Sequence, residues 1–286
     1  MYYKSSGNTG FLTKKLIYVR LVRPNTKAGT TMELSYNDAN SENALASALT
    51  TLSTAGAGVI HVKTSEFFRT LHTLRRSILV DGGLYYEWDI VSGIREYKLA
   101  SLYTGEDPDG VTNLNEALRV PRRHLQQFEA NDESVAYFVY GNAHKFVTEN
   151  NPVAIHMLKE YIATLPVTNA RIILVTPETT LPEDLHEGLM SIRFNPPSHA
   201  ELLTYLDSIL SGVTDADGNE GLEMDDEEKD IICQAAAGMT KVDFDTYVSV
   251  AIMDQVHKIQ QDEDVDWFEA ISDGIAKGKT EIINKT

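Results

Sequence analysis

One cysteine, Cys233, stands in the whole chain, so no intrachain disulfide can form. That fits a reducing compartment, and a lone thiol in an apolar helical stretch reads as core filling rather than as a nucleophile. No apolar run approaches a membrane span; the longest, such as Ile172-Ile173-Leu174-Val175, are strand-sized. Met1-Tyr2-Tyr3-Lys4 leads into polar residues instead of an apolar signal core, and a cytoplasmic location is expected. Positive charge is scarce: 25 lysines and arginines face 42 acids, a net of −17. Such a field repels phosphate backbones and anionic lipid, which argues against membrane and nucleic acid as partners.

What is present is a pattern of alternating elements. With 286 residues and 42% hydrophobic content, the chain can bury one large core or two small ones. Residues 1–56 read as an extension: strands over Lys15 to Arg23 and Met32 to Tyr36, then a helix capped by Ser41. From Gly58, strands alternate with helices. The strands are Val59 to Val62, Leu84 to Ile90, Val135 to Tyr140, Arg171 to Thr176 and Met190 to Phe194. Helices are expected from Thr64 or Ser65, with Phe68, Leu71 and Leu74 inward, from Asn113 with a break near Pro121, and from Asn151-Pro152. Asp107-Pro108-Asp109-Gly110 marks a turn. Past Asn195-Pro196-Pro197 the chain becomes helical, with starts at Ser198, near Glu227, at Thr240 and near Asp266. The expected fold is α/β: a five-stranded parallel, doubly wound sheet (57–197) followed by a small helical lid and linker (198–286).

Four stretches carry a family resemblance. They are Tyr86-Glu87-Trp88-Asp89-Ile90-Val91-Ser92-Gly93-Ile94; Arg171 to Pro177 with Leu181-Pro182-Glu183-Asp184-Leu185; Ile192-Arg193-Phe194-Asn195-Pro196-Pro197; and Ala235-Ala236-Ala237-Gly238-Met239-Thr240. In that order, over about residues 57 to 286, the chain resembles the amino-terminal, non-catalytic AAA-like domain of a plastid, cyanobacterial and phage family of AAA ATPases. There a degenerate domain precedes an active one, and Lys279 to Thr286 resembles the junction between them. The resemblance implies a P-loop-NTPase type of fold, with a role in oligomerisation, regulation or partner recruitment. It also implies that ATP and magnesium matter only where an active domain follows.

ATP hydrolysis on such a fold needs a glycine-rich loop after the first strand, whose amides and lysine hold phosphate. The corresponding stretch, Val62 to Phe68, has Lys63, Thr64 and Ser65 but no glycine, and Glu66 is expected in the first helical turn. The third strand should end in acids that position magnesium and water, yet it leads into Gly141-Asn142-Ala143-His144. Asn142 and Thr176 remain as strand-end remnants of a nucleotide pocket, and the isolated chain is expected to use no cofactor. Gly274 to Thr280 contains Gly-Lys-Thr, but Asp273 stands where the phosphate loop needs glycine, and the stretch reads as a helix end and linker. Asp215, Asp217, Asn219 and Asp226 sit at calcium-loop spacing, with Glu220 where the turn glycine belongs; an acidic hinge is the simpler reading. Arg119, Arg122 and Arg123, with His124, could contact phosphate or an acidic subunit edge, but a solvated helix face is the simpler reading. Three roles stay open: a non-catalytic module associating with itself or an AAA ATPase, the front of a longer ATPase, and a calcium-responsive binding protein.

Overall fold

The computed structural model describes residues 35–102, 105, 110–127, 134–177, 179, 181–213, 221–259 and 266–285. The strand expected over Lys15 to Arg23 lies outside them, as do most of Met32 to Tyr36 and Asp107 to Asp109 of the expected turn. In chain order come β1 (Ser35–Ala39), α1 (Glu42–Thr54), β2 (Val59–Thr64), α2 (Phe67–Val80), β3 (Leu84–Asp89), β4 (Gly93–Tyr97), α3 (Leu114–Ala117), α4 (Val120–Gln127) and β5 (Ala136–Gly141). They are followed by α5 (Pro152–Thr164), β6 (Ala170–Thr176), β7 (Met190–Phe194), α6 (His199–Ser211), α7 (Asp226–Ala235), α8 (Lys241–Ile259) and α9 (Trp267–Lys285).

The strands form one sheet in the order β1-β7-β2-β6-β5-β3-β4. Every pairing is parallel except β3 with β4. The five expected strands are its middle, and β1 and β4 extend it at the two edges, for seven strands in all. β4 follows β3 through a hairpin in which the Asp89 carboxylate accepts from Val91 N and Ser92 N at 2.8 and 2.7 Å. β6 lies at the centre, buried throughout, and its side chains divide by parity. Ile172 and Leu174 join Trp88, Phe138, Tyr140 and Leu158 on one face; Ile173 and Val175 join Leu45, Leu49, Ile60, Val62 and Leu74 on the other. Helices α1 and α2 therefore cover one face and α3 and α5 the opposite one. At the start of β6, buried Arg171 donates to the carbonyls of Leu165, Thr168, Ala170 and Ser53, which ties the last turn of α1 to β6.

Helix α2 starts later than expected. Thr64 stays in β2, in register with Phe194 of β7, and Glu66 takes the N-cap position. Only one of two adjacent phenylalanines can then face inward. Phe67 does, its ring against Gly141 at the end of β5, and Phe68, expected inward, is exposed. The break near Pro121 falls at Leu118-Arg119, with Pro121 in the first turn of α4, where a missing N–H costs nothing. Asn113 and Asn151 cap α3 and α5 as their positions suggest.

Helices α6 to α9 share a core of their own, including Leu202, Leu206, Ile232, Cys233, Phe244, Val248, Ile271 and Ile275. Ser198 and Asp225 head capping boxes with Glu201 and Glu228. The Gly274 to Thr280 stretch is no helix end: α9 continues through it to Lys285. Its glycines let α8 come close. A Cβ on Gly274 would stand 2.9 Å from Ala251 Cβ and 3.2 Å from Tyr247 O, and one on Gly278 would stand 2.5 Å from the Tyr247 ring. No described helix is long and apolar enough to cross a membrane. Gly274→Val is expected to destabilise the chain by about 1–3 kcal/mol through overpacking, read from urea denaturation, although valine is the better helix former. Unchanged stability would show that the glycine is not there for close approach.

Candidate functional site

The carboxyl ends of β2, β6 and β5 are where an open α/β sheet places ligands. Lys63 is in register with Thr176, and Asn142 N donates to Val175 O at 2.9 Å, so these three residues lie on adjacent strand ends. The two threonine hydroxyls here, those of Thr64 and Thr176, are bonded within the protein. Thr64 Oγ1 accepts from Glu66 N at 2.8 Å. The Thr176 hydroxyl donates to Pro177 O at 2.9 Å, and its oxygen accepts from Nε2 of buried His61 at 2.7 Å. Ser65 is exposed. Asn142 is the one described non-glycine residue with positive φ, at 54°, a conformation asparagine tolerates better than most. His144 follows in a 3₁₀ turn, where burial and then neighbouring Lys145 lower its pKa.

Glu66 decides what the β2–α2 junction can do. It precedes the helix instead of lying in its first turn, and it is buried. Its carboxylate accepts from the backbone N–H of Lys241, the first residue of α8, at 2.8 Å. The Glu66 carboxyl group is therefore committed to α8, and no glycine lets the backbone at the start of α2 curl around a phosphate. The residues present do not fit a nucleotide phosphate at this junction.

Three residues into the helix, Arg69 extends the connection. Its buried guanidinium donates to Glu201 Oε1 at 2.7 Å, to Asn195 O at 3.2 Å and to Glu42 Oε1 at 3.4 Å, and lies 4.4 Å from the Phe194 ring centre. Glu42 N donates to Glu201 Oε1, and Tyr205 OH donates to Glu42 Oε1. The network thus joins α1, α2 and the end of β7 to α6. Taking one partner from a buried pair of this kind costs about 3–5 kcal/mol, because it strands a charge.

Beside the junction, between α2, the β3–β4 hairpin and residues 141–146, lies a cleft of about 720 Å3. Phe67, Phe68, Trp88 and Phe146 give it apolar walls, with Asn142 and Lys145 on its floor and rim. Arg75 and Glu87 pair at 2.7 Å within those walls, and Arg95 and Asp89 at 2.9 Å. A smaller cavity of about 260 Å3, next to Gly82 and Gly83, sits at the opposite, amino ends of β3 and β5.

The remaining candidates lie apart from this place. Arg119 pairs with Glu116 at 2.6 Å and Arg122 pairs with Glu160, while Arg123 is exposed. His124 packs against the rings of Tyr86 and Phe138. Of the calcium candidates, Asp226 begins α7 and is exposed; Asp215, Asp217 and Asn219 lie outside the described residues. Among the described residues no cluster of three His, Cys, Asp or Glu side chains could hold a metal. Cys233 is wholly buried in the α6–α9 core, where burial, then Asp230 and Asp207, push its thiol up to about 12.

Arg69 and the role of Glu66 escape a reading by motif, but a signal exists. A cation in the first turn of a helix opposes the helix dipole, so Arg69 needed carboxylates from elsewhere. The two glutamates respond to pH with opposite sign. Burial raises the Glu66 pKa above the ordinary 4.5, and the Lys241 amide and Arg69 offset only part of that. Ionising Glu66 therefore costs stability as pH rises from 4.5 through its folded-state pKa. Burial also works against Glu201, yet the amides of Ser198 and Glu42 and the Arg69 guanidinium prevail and hold it below 4.5, so its contribution is lost as pH falls. In denaturation across a pH series, Glu66→Gln should gain on the wild type above pH 4.5. Glu201→Gln should be weaker by about 3 kcal/mol at neutral pH and should approach parity below pH 4.5. Parallel pH curves for all three proteins would contradict this assignment.

A profile for the SpoVK-like AAA ATPase, N-terminal domain, matches residues 45–194. No curated protein matches the chain. Among solved structures, a chain of the E. coli MS115-1 HORMA:CdnC:Trip13 complex is similar at 11% identity and a TM-score of 0.53, covering 80% of this chain and 77% of that one. The FIGL-1 AAA domain is similar at 12% identity and a TM-score of 0.51, covering 77% and 70%. At these identities the likeness shows the fold alone. The strand order, the helical cluster after β7 and the profile match over half the chain agree: this chain belongs to the SpoVK-like AAA ATPase N-terminal domain family.

Proposed function

We propose that the chain is a non-catalytic AAA-like module that holds an AAA ATPase assembly together, regulates it or recruits a partner to it. The observation that carries this reading is the buried Glu66 carboxylate, bonded to α8 at the place of a phosphate loop. Its support is the strand end at Gly141-Asn142-Ala143-His144, which offers no acid to position magnesium. A fold that keeps its core without this chemistry retains surfaces. In the E. coli assembly the similar chain is likewise one component among differently named proteins. On this reading 57–197 is a degenerate α/β domain and 198–286 its helical lid and linker. Arg123, with Arg119 and Arg122 beside it, offers a basic contact for an acidic neighbouring subunit.

A second reading is favoured by the family's own description as the N-terminal domain of an AAA ATPase. The chain would then be the front of a longer enzyme, with ATP and magnesium bound by a following domain. An in-frame downstream sequence carrying a complete phosphate loop decides for it.

Calorimetric titration of the chain with ATP and magnesium is expected to show no tight binding, and Lys63→Ala to change nothing. Micromolar affinity abolished by that substitution would overturn the non-catalytic reading. With a net charge of −17, subunits repel at low ionic strength, so sedimentation should show association increasing as salt screens that charge. A chain that stays monomeric at high concentration in every salt, alone and joined to its downstream sequence, has no assembly role, and partner recruitment alone remains.

A further inference from the structure

Two helix starts meet at Glu66. Glu66 is the N-cap residue of α2, and its side chain reaches the first amide of α8, 175 residues away in sequence. Helix N-termini carry unsatisfied N–H groups and partial positive charge, and each favours an anion. At α8 the amides are shared out. Thr240 Oγ1 accepts from Asp243 N at 3.1 Å, and Glu66 takes Lys241 N. Arg69 adds a full positive charge nearby, and Asp243 opposes it. Glu66 is only 3% exposed, so its carboxyl group has exchanged water for these partners.

We propose that the Glu66 carboxyl group latches α8 to the sheet, so that the helical bundle is held at the β2–α2 junction by the chain itself and not by a bound ligand. The proposal deepens the non-catalytic reading above and rests on its placement of the phosphate-loop position. The bundle's attachment is built in, and a free anion has no place to act while Glu66 is there. Removing the carboxyl group leaves the first amide of α8 without its acceptor, and a small anion from solution can take its place.

The test is hydrogen exchange at the first amides of α8 in the full chain, read in sodium phosphate and in sodium chloride at equal ionic strength. Wild type is expected to be protected equally in both. Glu66→Gln, which keeps an acceptor for Lys241 N, should remain protected. Glu66→Ala should exchange at Lys241 at least about tenfold faster in chloride and regain protection as phosphate is titrated in. If Glu66→Ala is too unstable to study, Glu66→Asp, whose carboxylate is one methylene short, is held to the same criterion. Unchanged protection in the alanine or aspartate variant overturns the latch. So does lost protection that phosphate restores no better than chloride. Tight ATP binding by the wild type would sink the non-catalytic reading while leaving the exchange result legible by itself.

Discussion

A guanidinium buried in the first turn of a helix is a demanding guest, and the arrangement of this molecule follows from satisfying Arg69. Its own helix dipole repels it, so its counter-charges must come from outside α2. They arrive from α1 through Glu42, from α6 through Glu201 and from the carbonyl of Asn195 after β7. Elements far apart in sequence are thereby drawn to one point. Glu201 is also the third residue of the α6 capping box, so the helix that opens the bundle starts on the carboxylate that neutralises Arg69. Bundle placement and sheet packing are one electrostatic problem with one solution.

The β2–α2 junction is closed by the protein's own polar groups. A phosphate loop gathers free amides around an absent anion; here hydroxyls and a carboxylate close those valences in advance. Thr64, Thr176 and His61 bond to one another's surroundings, and Glu66 bonds across to α8. Of the expected pocket residues, Thr64 and Thr176 have their hydroxyls bonded within the protein. The cleft beside it, walled by Phe67 and Trp88, is a different kind of surface, shaped by side chains rather than by exposed backbone.

Much of this was legible in the sequence. The buried runs around Ile60, Phe138 and Ile173 announce central strands because a strand covered on both faces has no polar side to show. The caps at Ser41, Asn151 and Ser198 announce helix starts because their side chains bond locally. β4 was not read in advance: Gly93–Tyr97 is short, and its only local signal is the Ser92-Gly93 turn, whose glycine has φ 75° and which Asp89 ties. Gly274 and Gly278 misled because glycine suggests an ending, and only the neighbouring helix reveals that it permits contact. At the site, the positions of Lys63, Thr64, Asn142 and Thr176 could be read in advance, but their bonds could not. His61 meets Thr176 across 115 residues and Glu66 meets Lys241 across 175, and local pattern is silent about such pairs.

The place of β2 in the sheet has a consequence for how the chain comes into being. Both of its neighbours, β6 and β7, begin at or beyond residue 170. As the chain emerges from a ribosome at about 5–20 residues per second, β2 waits roughly 5–20 s with both edges unpaired. Its apolar Val59-Ile60-His61-Val62 core is, during that time, a strand without a sheet. Non-local parallel pairing of this kind is slow and exposes sticky surface. α1 and α2, which flank β2 in sequence and pack on the same face, are its earliest possible shelter. The half-made chain must therefore depend first on helices to protect a strand that, in the finished molecule, is held by other strands.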